Sequence, residues 1–504
     1  MTNIVELVRR FQSLRAVVIG DLMLDSYLEG TASRLCTEGP VPVVRRTRVE
    51  RAPGGAANVA ANLRALGSDV TLIGLIGADP AGAMLREALG ERDIDTRWLV
   101  EDDAASTLHK LRVLADGHYV VRFDEGDTGA ISSVSRRRLC SNLVETFAGS
   151  DLVIVSDYTY GVIAEDVLTA LRALRDTRPV ALVVDSKDLR RFHGCRATAV
   201  TPNLREARLM LGRRAEPAGV DLPADAEVVG REILRHIDAE LAAITLAGDG
   251  VALVGRDGTA QHLPSFPIER ANDVGAGDTF AATLGLVLAA GGSAPDAASI
   301  ALEAAAVAVT KPRTAVVEYQ ELLRRVSLRA FNPLDSDLAG SAERLNAILD
   351  TDRLLGRTIV FTNGVFDILH AGHVDFLKRA KALGDVLVVG VNTDAGARRL
   401  KGPNRPINNQ QDRLALVAAL EPVDHAILFD EATPAELIRR LRPRIHVKGG
   451  DYADRELPES EAVLEVGGRV VVLPLAGSRS TSDVIERIVT MSTASSGERV
   501  GAES

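Results

Sequence analysis

Short apolar runs alternate with stretches of helical character along the first part of the chain. Four of these runs have the composition and length of strands that are buried on both faces of a parallel sheet: AVVIGD (16–21), VTLIGLIG (70–77), DLVIVSD (151–157) and VALVVDS (180–186). Segments near 40–50 and 106–124 have the pattern of β-hairpins instead. The pattern therefore predicts an α/β fold that carries a small β-sheet lid.

The alternation weakens after residue 317, where a charged helical stretch containing FNPLDSD (331–337) predicts a linker over 321–354. A second series of strand-like runs follows the linker: RTIVFTNGVFD (357–367), DVLVVGVNTD (385–394), HAILFD (425–430), RIHVKGGD (444–451) and RVVVLPLAG (469–477). These runs predict a smaller, Rossmann-like α/β domain over 355–490, after a first domain over 1–320. The last residues, 491–504, are small and polar, which predicts a disordered tail.

Composition and charge narrow the class of protein. The 504 residues are 46% hydrophobic and 25% charged, as in soluble globular proteins of two or three domains. A net charge of −10 disfavours binding to a nucleic-acid backbone, and no apolar run predicts a membrane span or a signal peptide. Cys36, Cys140 and Cys195 are scattered, so they predict neither a disulfide framework nor a zinc cluster. A reducing cytoplasm is the expected setting.

A glycine-rich segment, NDVGAGDTF (272–280), precedes an Ala-rich run of helical character. Glycines at a helix start let backbone N–H groups approach a phosphate, and the helix dipole favours negative charge there. Gly275, Ala276 and Gly277 are therefore candidates for an anion site, and Asp278 beside them could accept a proton from a sugar hydroxyl. By itself the motif is also explained by a helix cap and a turn.

Two other segments place polar side chains on helices or at helix starts. In PGGAANVAANLRALG (53–67), Asn58 and Asn62 have helical spacing and could contact a sugar while the alanines pack. In TPNLREA (201–207), Asn203 and Glu206 could hold a hydrated Mg²⁺ near phosphates, although such a pair also forms helix caps.

In this order the segments resemble the ribokinase-like, or PfkB, carbohydrate kinases over residues of about 10 to 320. The resemblance implies ATP and Mg²⁺ as cofactors, Asp278 as the catalytic base and 275–277 as the anion hole. It implies sugar contacts from Asp21, Asp25, Gly54, Gly55 and Asn58. The turn TLAGDG (245–250), with Thr245, Gly248 and Gly250, suits a nucleotide contact, although turn chemistry alone explains it too.

The most specific motif lies in the second domain, in FTNGVFDILHAGHVDFL (361–377). A strand leads through a loop into a helix that begins near His370 and His373. Two histidines at a helix start can donate hydrogen bonds to a triphosphate, so that negative charge is stabilised during attack on the α-phosphorus. A zinc site and a simple helix cap are alternatives, but no third zinc ligand is evident at a suitable spacing.

This motif resembles the HxGH nucleotidyltransferases of the cytidylyltransferase-like family over residues of about 355 to 490. On that resemblance His370 and His373 contact phosphates, and the nucleotide pocket is lined by Thr362, Asn363, Gly364 and Phe366. Later segments add donors after strands or at helix starts: Lys401, Arg413, Lys448, Ser480, Thr481 and Ser482. The last three residues could also serve only as a helix N-cap.

A PfkB-type kinase followed by an HxGH transferase resembles the family of bifunctional heptose kinase/adenylyltransferases, with local matches at KLRV (110–113) and VKGGDY (447–452). The resemblance implies phosphorylation of D-glycero-β-D-manno-heptose 7-phosphate at O1, then adenylyl transfer from ATP to give ADP-heptose. Lys110, Arg112 and Arg122 are candidates for holding the substrate's phosphate, unless they are solvated charges of the lid. A homodimer or larger homo-oligomer is expected.

Two alternatives stay open at the level of the sequence. One is a kinase/nucleotidyltransferase that acts on another sugar phosphate. The other is a regulatory protein with an impaired kinase site, because Asn272 and Tyr160 depart from the family pattern.

Overall fold

The computed structural model describes residues 4–127, 131–213, 221–265, 274–331, 337–450 and 458–474. The chain forms two compact units, Met1–Val326 and Ser327–Ser504. The boundary falls inside the segment for which the sequence predicts a linker. Residues 491–504, for which it predicts a disordered tail, lie outside the described ranges.

A nine-stranded sheet forms the centre of the first unit, and a four-stranded sheet forms the lid. The strands are β1 (Arg15–Gly20), β2 (Leu22–Leu35), β3 (Pro42–Gly55), β4 (Asp69–Gly77), β5 (Leu99–Asp102), β6 (Leu108–Ala115), β7 (His118–Glu125), β8 (Leu152–Asp157), β9 (Ala181–Ser186), β10 (Ala199–Val200), β11 (Leu241–Thr245), β12 (Val251–Gly255) and β13 (Ala260–Leu263). The large sheet has the order β13-β12-β11-β10-β9-β8-β1-β4-β5 and is antiparallel only between β11, β12 and β13.

The lid has the strand order β3-β2-β6-β7. Its hairpin strands β2 and β3 pair antiparallel, as do β6 and β7, whereas β2 and β6 run parallel. The two segments with hairpin patterns therefore lie in one sheet, as the sequence predicts.

The helices of the first unit are α1 (Ile4–Arg9), α2 (Ala56–Ala65), α3 (Pro80–Gly90), α4 (Ser133–Phe147), α5 (Glu165–Thr177), α6 (Leu204–Met210), α7 (Leu222–His236), α8 (Ala276–Ala289), α9 (Ala294–Ala308) and most of α10 (Tyr319–Ala330), which continues past the boundary at Val326. They cover both faces of the large sheet. Val153 and Val155 of β8 lie in the same buried cluster as Leu139 and Leu143 of α4. The alternate residues of β8 face α8, where a Cβ on Gly285 would lie 3.0 Å from the Leu152 side chain. Burial on both faces explains why these strands read as unbroken apolar runs.

The second unit is built on a five-stranded parallel sheet of order β16-β15-β14-β17-β18. Its strands are β14 (Ile359–Gly364), β15 (Val386–Asn392), β16 (His425–Phe429), β17 (Ile445–Gly449) and β18 (Arg469–Leu473). Its helices are α11 (Leu338–Leu354), α12 (Ala371–Lys381), α13 (Asp394–Lys401), α14 (Gln410–Ala418), α15 (Ala435–Leu441) and α16 (Ser460–Glu465).

Helix α11 lies inside the segment for which the sequence predicts a linker. Its side chains Leu345, Ile348 and Leu349 are fully buried in one cluster with Ile359 and Phe361 of β14. Because this cluster is one of the two apolar cores of the second unit, α11 is part of that unit rather than a free connection.

Candidate active sites

Asp278 lies in the first turn of α8, directly after a backbone turn at Gly275. Gly275 has a φ of 81°, and a Cβ at this position would lie 2.9 Å from the side-chain nitrogen of Asn58. Only glycine adopts this conformation without strain and leaves room for Asn58. Ala276 and Gly277 follow at the helix start, where backbone N–H groups lack partners within the helix. The structure thus places Asp278 beside the predicted anion hole.

Two side chains hold the buried Asp278 carboxylate. Asn58 Nδ2 donates to Oδ2 at 2.7 Å, and the hydroxyl of Tyr158 donates to Oδ1 at 3.3 Å. Burial raises the pKa of Asp278 to about 6, against the hydrogen bonds from Asn58 and Tyr158 and the charge of Lys187, which lower it. A carboxyl group with this pKa is ionised at neutral pH and is still basic enough to take a proton in a transition state.

Asn62 fixes the orientation of Asn58 from one turn further along α2. Asn62 Nδ2 donates to the backbone carbonyl of Asn58 at 3.0 Å and to its side-chain Oδ1 at 3.3 Å, and Asn62 Oδ1 accepts from the Thr279 hydroxyl at 2.9 Å. The helix that follows the two glycines and the helix of Asp278 are therefore joined by buried polar contacts. The sequence predicts sugar contacts from this asparagine pair; the structure gives Asn62 a supporting position behind Asn58.

Asp21 does not have the position of a sugar ligand. Its side chain is fully buried and accepts hydrogen bonds from the backbone N–H groups of Tyr158 at 2.8 Å, Tyr160 at 3.1 Å and Val162 at 3.2 Å. Burial raises the pKa of Asp21 to about 6, and these backbone hydrogen bonds oppose the rise. Asp21 therefore organises the loop after β8, which corrects the prediction that it contacts the sugar.

Asp25 lies on β2 of the lid, and Gly54 lies beside it on β3, opposite Met23. A Cβ at Gly54 would lie 2.7 Å from Asp25 Oδ2, so glycine keeps the backbone close to this carboxylate. Arg112 donates to Asp25 Oδ1 at 2.6 Å, and the Thr314 hydroxyl donates to Oδ2 at 3.3 Å. Gly55 follows at the N-cap of α2. Asp25 and the two glycines thus meet at the junction of the lid and α2, and the sugar pocket predicted there stays a prediction.

The three basic residues predicted to hold the substrate's phosphate differ in their surroundings. Arg112 is buried in its ion pair with Asp25, and its guanidinium lies 5.1 Å from the centroid of the Tyr27 ring. Arg122 lies opposite Arg112 on the exposed strand β7 and pairs with Asp124 at 2.8 Å. Lys110 is partly buried beside the Tyr158 ring. Lys110 is therefore the strongest of the three candidates.

Asn203 and Glu206 form a capping box at the start of α6. Glu206 N–H donates to Asn203 Oδ1 at 2.9 Å, and Asn203 N–H donates to Glu206 Oε2 at 3.2 Å. The Lys187 ammonium also pairs with Glu206. Within the described residues, no three His, Cys, Asp or Glu side chains lie together as direct ligands of a metal ion. Amide and carboxylate oxygens suit Mg²⁺, but with both side chains engaged, an ion here would contact them through water.

The predicted nucleotide turn lies next to this capping box. Thr245 pairs with Asn203 in an isolated β-bridge, and its N–H donates to the carbonyl of Pro202 at 3.1 Å. Gly248 lies in a short 3₁₀ turn, and Gly250, with a φ of 100°, ends it. The carboxyl end of β11 and the start of α6 are thereby brought together, which is where ligands bind in parallel sheets.

Sequence reasoning missed several charged and polar groups around Asp278. Burial and the charge of Asp278 raise the pKa of Asp185, on β9, to about 7, against the charge of Lys187, which lowers it. Lys187 follows two residues later, and the charge of Asp185 and the Glu206 hydrogen bond raise its pKa despite burial. Both residues lie at the carboxyl end of a predicted strand, on the side of the sheet where the candidate site lies. That placement is the only sequence signal for them.

In the second unit, His370 and His373 lie at the start of α12 with their ring centroids 4.0 Å apart. The N–H of His370 donates to His373 Nδ1 at 3.4 Å, and His373 also lies against the Phe366 ring at 5.5 Å. Burial, and to a smaller extent the neighbouring His370, lower the pKa of His373 to about 4. His373 is therefore neutral at pH 7. His370 Nδ1 is buried without a hydrogen-bond partner among the described residues, so it is available to a ligand.

The remaining residues of the motif have separate roles. Thr362 is buried and its hydroxyl donates to the carbonyl of Val447 at 2.8 Å, so it fastens β14 to β17 rather than lining a pocket. Asn363 and Gly364 are partly exposed at the carboxyl end of β14. Phe366 is buried with a φ of 50° and covers Gly364, where a Cβ would lie 3.1 Å from its ring. Asn363 and Gly364 remain as open positions of the predicted pocket.

Lys448 joins the predicted pocket at the end of β17. Its ammonium donates to Asn363 Oδ1 at 2.9 Å and lies 2.6 Å from Glu459 Oε1. Glu459 also lies 3.3 Å from Nε2 of the buried His446. Sequence reasoning identified Lys448 but not Glu459, because no motif links the two residues.

Arg413 is wholly enclosed. Its guanidinium donates to the carbonyls of Asn408 at 3.0 Å and Val365 at 2.5 Å, and to Asp394 Oδ1 at 2.8 Å. Arg413 therefore supports the loop that leads to the histidines and does not reach a nucleotide, which corrects the prediction. Lys401, in contrast, is exposed at the end of α13.

A second arginine, Arg405, supports the same loop. It pairs with the buried Asp367 at 2.6 Å, and Asp367 also accepts from the backbone N–H of Ile407 at 2.7 Å. Sequence reasoning missed this pair. The predicted donors Ser480, Thr481 and Ser482 lie outside the described residues, as does Asn272.

The two sites define a bifunctional transferase, a carbohydrate kinase joined to a nucleotidyltransferase. Residues 13–319 match the pfkB family of carbohydrate kinases, and residues 361–487 match the cytidylyltransferase-like family. The first unit also has the fold of phosphofructokinase-2 from Escherichia coli, with a TM-score of 0.53, 21% identity, and coverage of 63% of this chain and 99% of that one. This likeness establishes the ribokinase-like fold alone.

Relatives that match nearly the whole chain identify the family to which the two domains together belong. Bifunctional protein HldE of Syntrophotalea carbinolica is 38% identical over 490 residues, which cover 97% of this chain and 98% of that protein. Bifunctional protein HldE of Nitrosococcus oceani is 40% identical over 482 residues, which cover 95% and 98%. The chain belongs to the HldE family of bifunctional heptose kinase/adenylyltransferases. The resemblance and fold predicted from the sequence are thereby confirmed.

Proposed function

We propose that the first unit phosphorylates D-glycero-β-D-manno-heptose 7-phosphate at O1, with Asp278 as the base. The carboxylate takes the O1 proton while O1 attacks the γ-phosphorus of ATP, and ADP leaves. The observation that carries this assignment is the buried Asp278 carboxylate at the start of α8, held by Asn58 and Tyr158. In this proposal the N–H groups of 275–277 would stabilise the charge on the transferring phosphoryl group.

The heptose would bind at the junction of the lid and α2. Asp25 and Asn58 would accept and donate hydrogen bonds to sugar hydroxyls. Lys110 is the proposed partner of the 7-phosphate, because Arg112 is already paired with Asp25 and Arg122 with Asp124. A cation with little competing ion pairing is the better partner for an incoming dianion.

In the second unit, the heptose 1-phosphate would attack the α-phosphorus of a second ATP, and pyrophosphate would leave. A phosphate monoester is already a nucleophile, so positioning matters more than a protein base. His370 and His373 would donate hydrogen bonds to the triphosphate. Lys448 and Asn363 would line the nucleotide pocket beside it. A neutral His373 at pH 7 can donate one such bond through a ring N–H.

Mg²⁺ is proposed as the ion that accompanies ATP in both steps, where it would neutralise phosphate charge. Asn203 and Glu206 are the residues of the first unit whose oxygens would orient its water shell. A cytoplasmic setting is proposed because ATP is a substrate and Cys36, Cys140 and Cys195 are free thiols.

A homodimer through the lid is proposed as well. The exposed apolar side chains of the lid support it: Leu35, Val41, Val49, Tyr119, Val120, Val121 and Phe123. Analytical ultracentrifugation of the wild type and of Phe123→Asp tests this, with a shift to monomer expected for the variant. An unchanged dimer would place the interface elsewhere.

A phosphorus NMR time course with ATP, Mg²⁺ and heptose 7-phosphate tests the two steps together. An anomeric phosphate should appear first, followed by a sugar-nucleotide diphosphate and pyrophosphate. Asp278→Asn should abolish the first step and leave adenylyl transfer to supplied heptose 1-phosphate, whereas His373→Ala should do the reverse. Loss of both activities from either change in a folded protein would contradict two independent sites. Turnover only with another sugar phosphate would contradict the proposed substrate.

A further inference from the structure

Tyr158, which follows β8, contacts four residues in or next to the kinase site. Its backbone N–H donates to Asp21 at 2.8 Å, and its hydroxyl donates to Asp278 at 3.3 Å. Two ammonium groups lie near its ring centroid, Lys110 of the lid at 5.5 Å and Lys187 at 5.0 Å. The Asp-Tyr pair at 157–158 is a local match to the kinase/adenylyltransferase family, but no motif of the sequence assigns Tyr158 a role in the site.

We propose that Tyr158 is a positioning residue of the kinase reaction, whose hydroxyl holds the Asp278 carboxylate for proton abstraction and whose ring receives the lid lysine, Lys110. The proposal rests on the proposed role of Asp278 as the base. It extends that role to a residue that does not itself exchange a proton with the substrate.

The geometry explains why a second donor is needed on Asp278. Asn58 reaches only Oδ2, and a carboxylate held at one oxygen can still rotate about its side-chain bonds. The Tyr158 hydroxyl reaches Oδ1, so the two donors together fix the plane of the group. The backbone of Tyr158, from which the ring extends, is in turn held by the hydrogen bond of its N–H to the buried Asp21. Preorganisation of this kind reduces the reorganisation required in the transition state.

The charges around Asp278 come from several elements. Asp25 of β2 and Asp185 of β9 add negative charge, and Lys187, after β9, adds positive charge. The negative charge of Asp278 and burial raise the pKa of Tyr158 well above 10. Tyr158 therefore remains a protonated donor wherever Asp278 is ionised. Its hydrogen bond opposes the burial that raises the pKa of Asp278.

The Tyr158 ring also connects the lid with the nucleotide side of the site. Burial removes part of the hydration of the Lys110 ammonium and thereby lowers its pKa. The face of an aromatic ring attracts a cation in such surroundings. Lys187, near the same ring, pairs with Glu206 of the capping box. The ring thus lies between the proposed partner of the sugar phosphate and the start of α6.

Kinase and adenylyltransferase rates of the full chain, measured from about pH 5 to about pH 9, test the proposal with Tyr158→Phe. We expect kinase kcat to fall about tenfold or more, the effect of losing one hydrogen bond to a charged group. Because the lost bond favoured ionised Asp278, the acid limb of the kinase pH profile should move to higher pH. Adenylyl transfer should keep its wild-type rate. Tyr319→Phe, which removes a hydroxyl at the start of α10, is the matched control and should leave both rates unchanged.

A second variant, Tyr158→Leu, tests the role of the ring. It should raise the KM for heptose 7-phosphate above that of Tyr158→Phe, because Lys110 loses its aromatic partner. Wild-type kcat and an unshifted acid limb in Tyr158→Phe would overturn the positioning role. Equal KM values for the two variants would overturn the role of the ring. Asp278→Asn is measured in parallel: kinase activity retained there would refute the base assignment itself, whereas its loss with a normal Tyr158→Phe refutes only the inference.

Discussion

The Lys448 ammonium lies 2.6 Å from the carboxylate of Glu459, in a buried network behind the predicted nucleotide pocket. The same carboxylate contacts His446, whose ring stacks on Phe361 with centroids 5.4 Å apart. Burial would raise the pKa of Glu459, but hydrogen bonds from His446 and Lys448 outweigh it and lower the pKa to about 2. Glu459 is therefore a permanent charge that holds Lys448 toward Asn363.

Replacing Glu459 by Gln should weaken the adenylyl-transfer step selectively. The amide keeps the size of the side chain but removes the charge that orients Lys448, so we expect kcat/KM for ATP in this step to fall about tenfold. Kinase assays on the same preparation report whether the first unit is intact. Glu461→Gln, on the exposed side of α16, is the control for a lost carboxylate. Equal losses in the two variants would show that Glu459 does not act through Lys448.

The kinase step should lose activity in mild acid. Asp278 accepts a proton only when it is ionised, and burial raises its pKa to about 6. Activity should therefore rise with pH through this value, and kcat/KM should fall about tenfold for each pH unit well below about 6. The measurement is a pH profile of kcat/KM for heptose 7-phosphate, with adenylyl transfer recorded in the same buffers. A kinase profile that stays flat down to about pH 4.5 would exclude Asp278 as the base.

Gly275 and Gly277 offer a matched pair for the backbone at the start of α8. Gly275→Ala places a Cβ on a residue with a φ of 81° and 2.9 Å from Asn58. We expect it to lower the free energy of unfolding of the first unit by about 1 to 3 kcal/mol. A Cβ on Gly277 meets nothing within 4 Å, so alanine there should be neutral or stabilising by up to about 1 kcal/mol. Calorimetry of the full chain compares the variants, and equal shifts would contradict the assigned strain.

The central strands were predictable because burial on both faces leaves an unbroken apolar run. Val153 and Val155 pack against helices on one face of the sheet, and Leu152 packs against a helix on the other face, so residues 152–155 of β8 are all apolar. Helix α11 was less clear, since the exposed Glu343 lies two residues before the buried Leu345. An amphipathic helix that begins a domain resembles a linker until its packing partner is known.

Candidate site residues could be predicted from the sequence where they lie in local motifs. They could not be predicted where a side chain's role depends on contacts between distant parts of the chain. Asp278 and His373 lie in short glycine- or histidine-containing motifs beside helix starts. Asp21, in contrast, meets the N–H of Tyr158, 137 positions later in the chain, and no spacing rule connects them. Arg413 was misassigned for the same reason, because a basic residue near a helix start has the same pattern whether it faces a phosphate or a buried carbonyl.

The buried position of Arg413 makes a direct test of that misassignment possible. Its side chain has no exposed surface and supports two carbonyls and Asp394, so Arg413→Met should leave these acceptors unpaired. Removal of one partner of a buried ion pair costs about 3 to 5 kcal/mol, and we expect the second unit to lose that order of stability together with adenylyl transfer. Lys401→Met, at an exposed position, should change stability by less than about 0.5 kcal/mol and act, if at all, on the KM for ATP. Thermal unfolding and adenylyl-transfer kinetics of both variants decide between the two roles. An Arg413→Met protein with wild-type stability and only a raised KM would mean that Arg413 contacts the nucleotide after all.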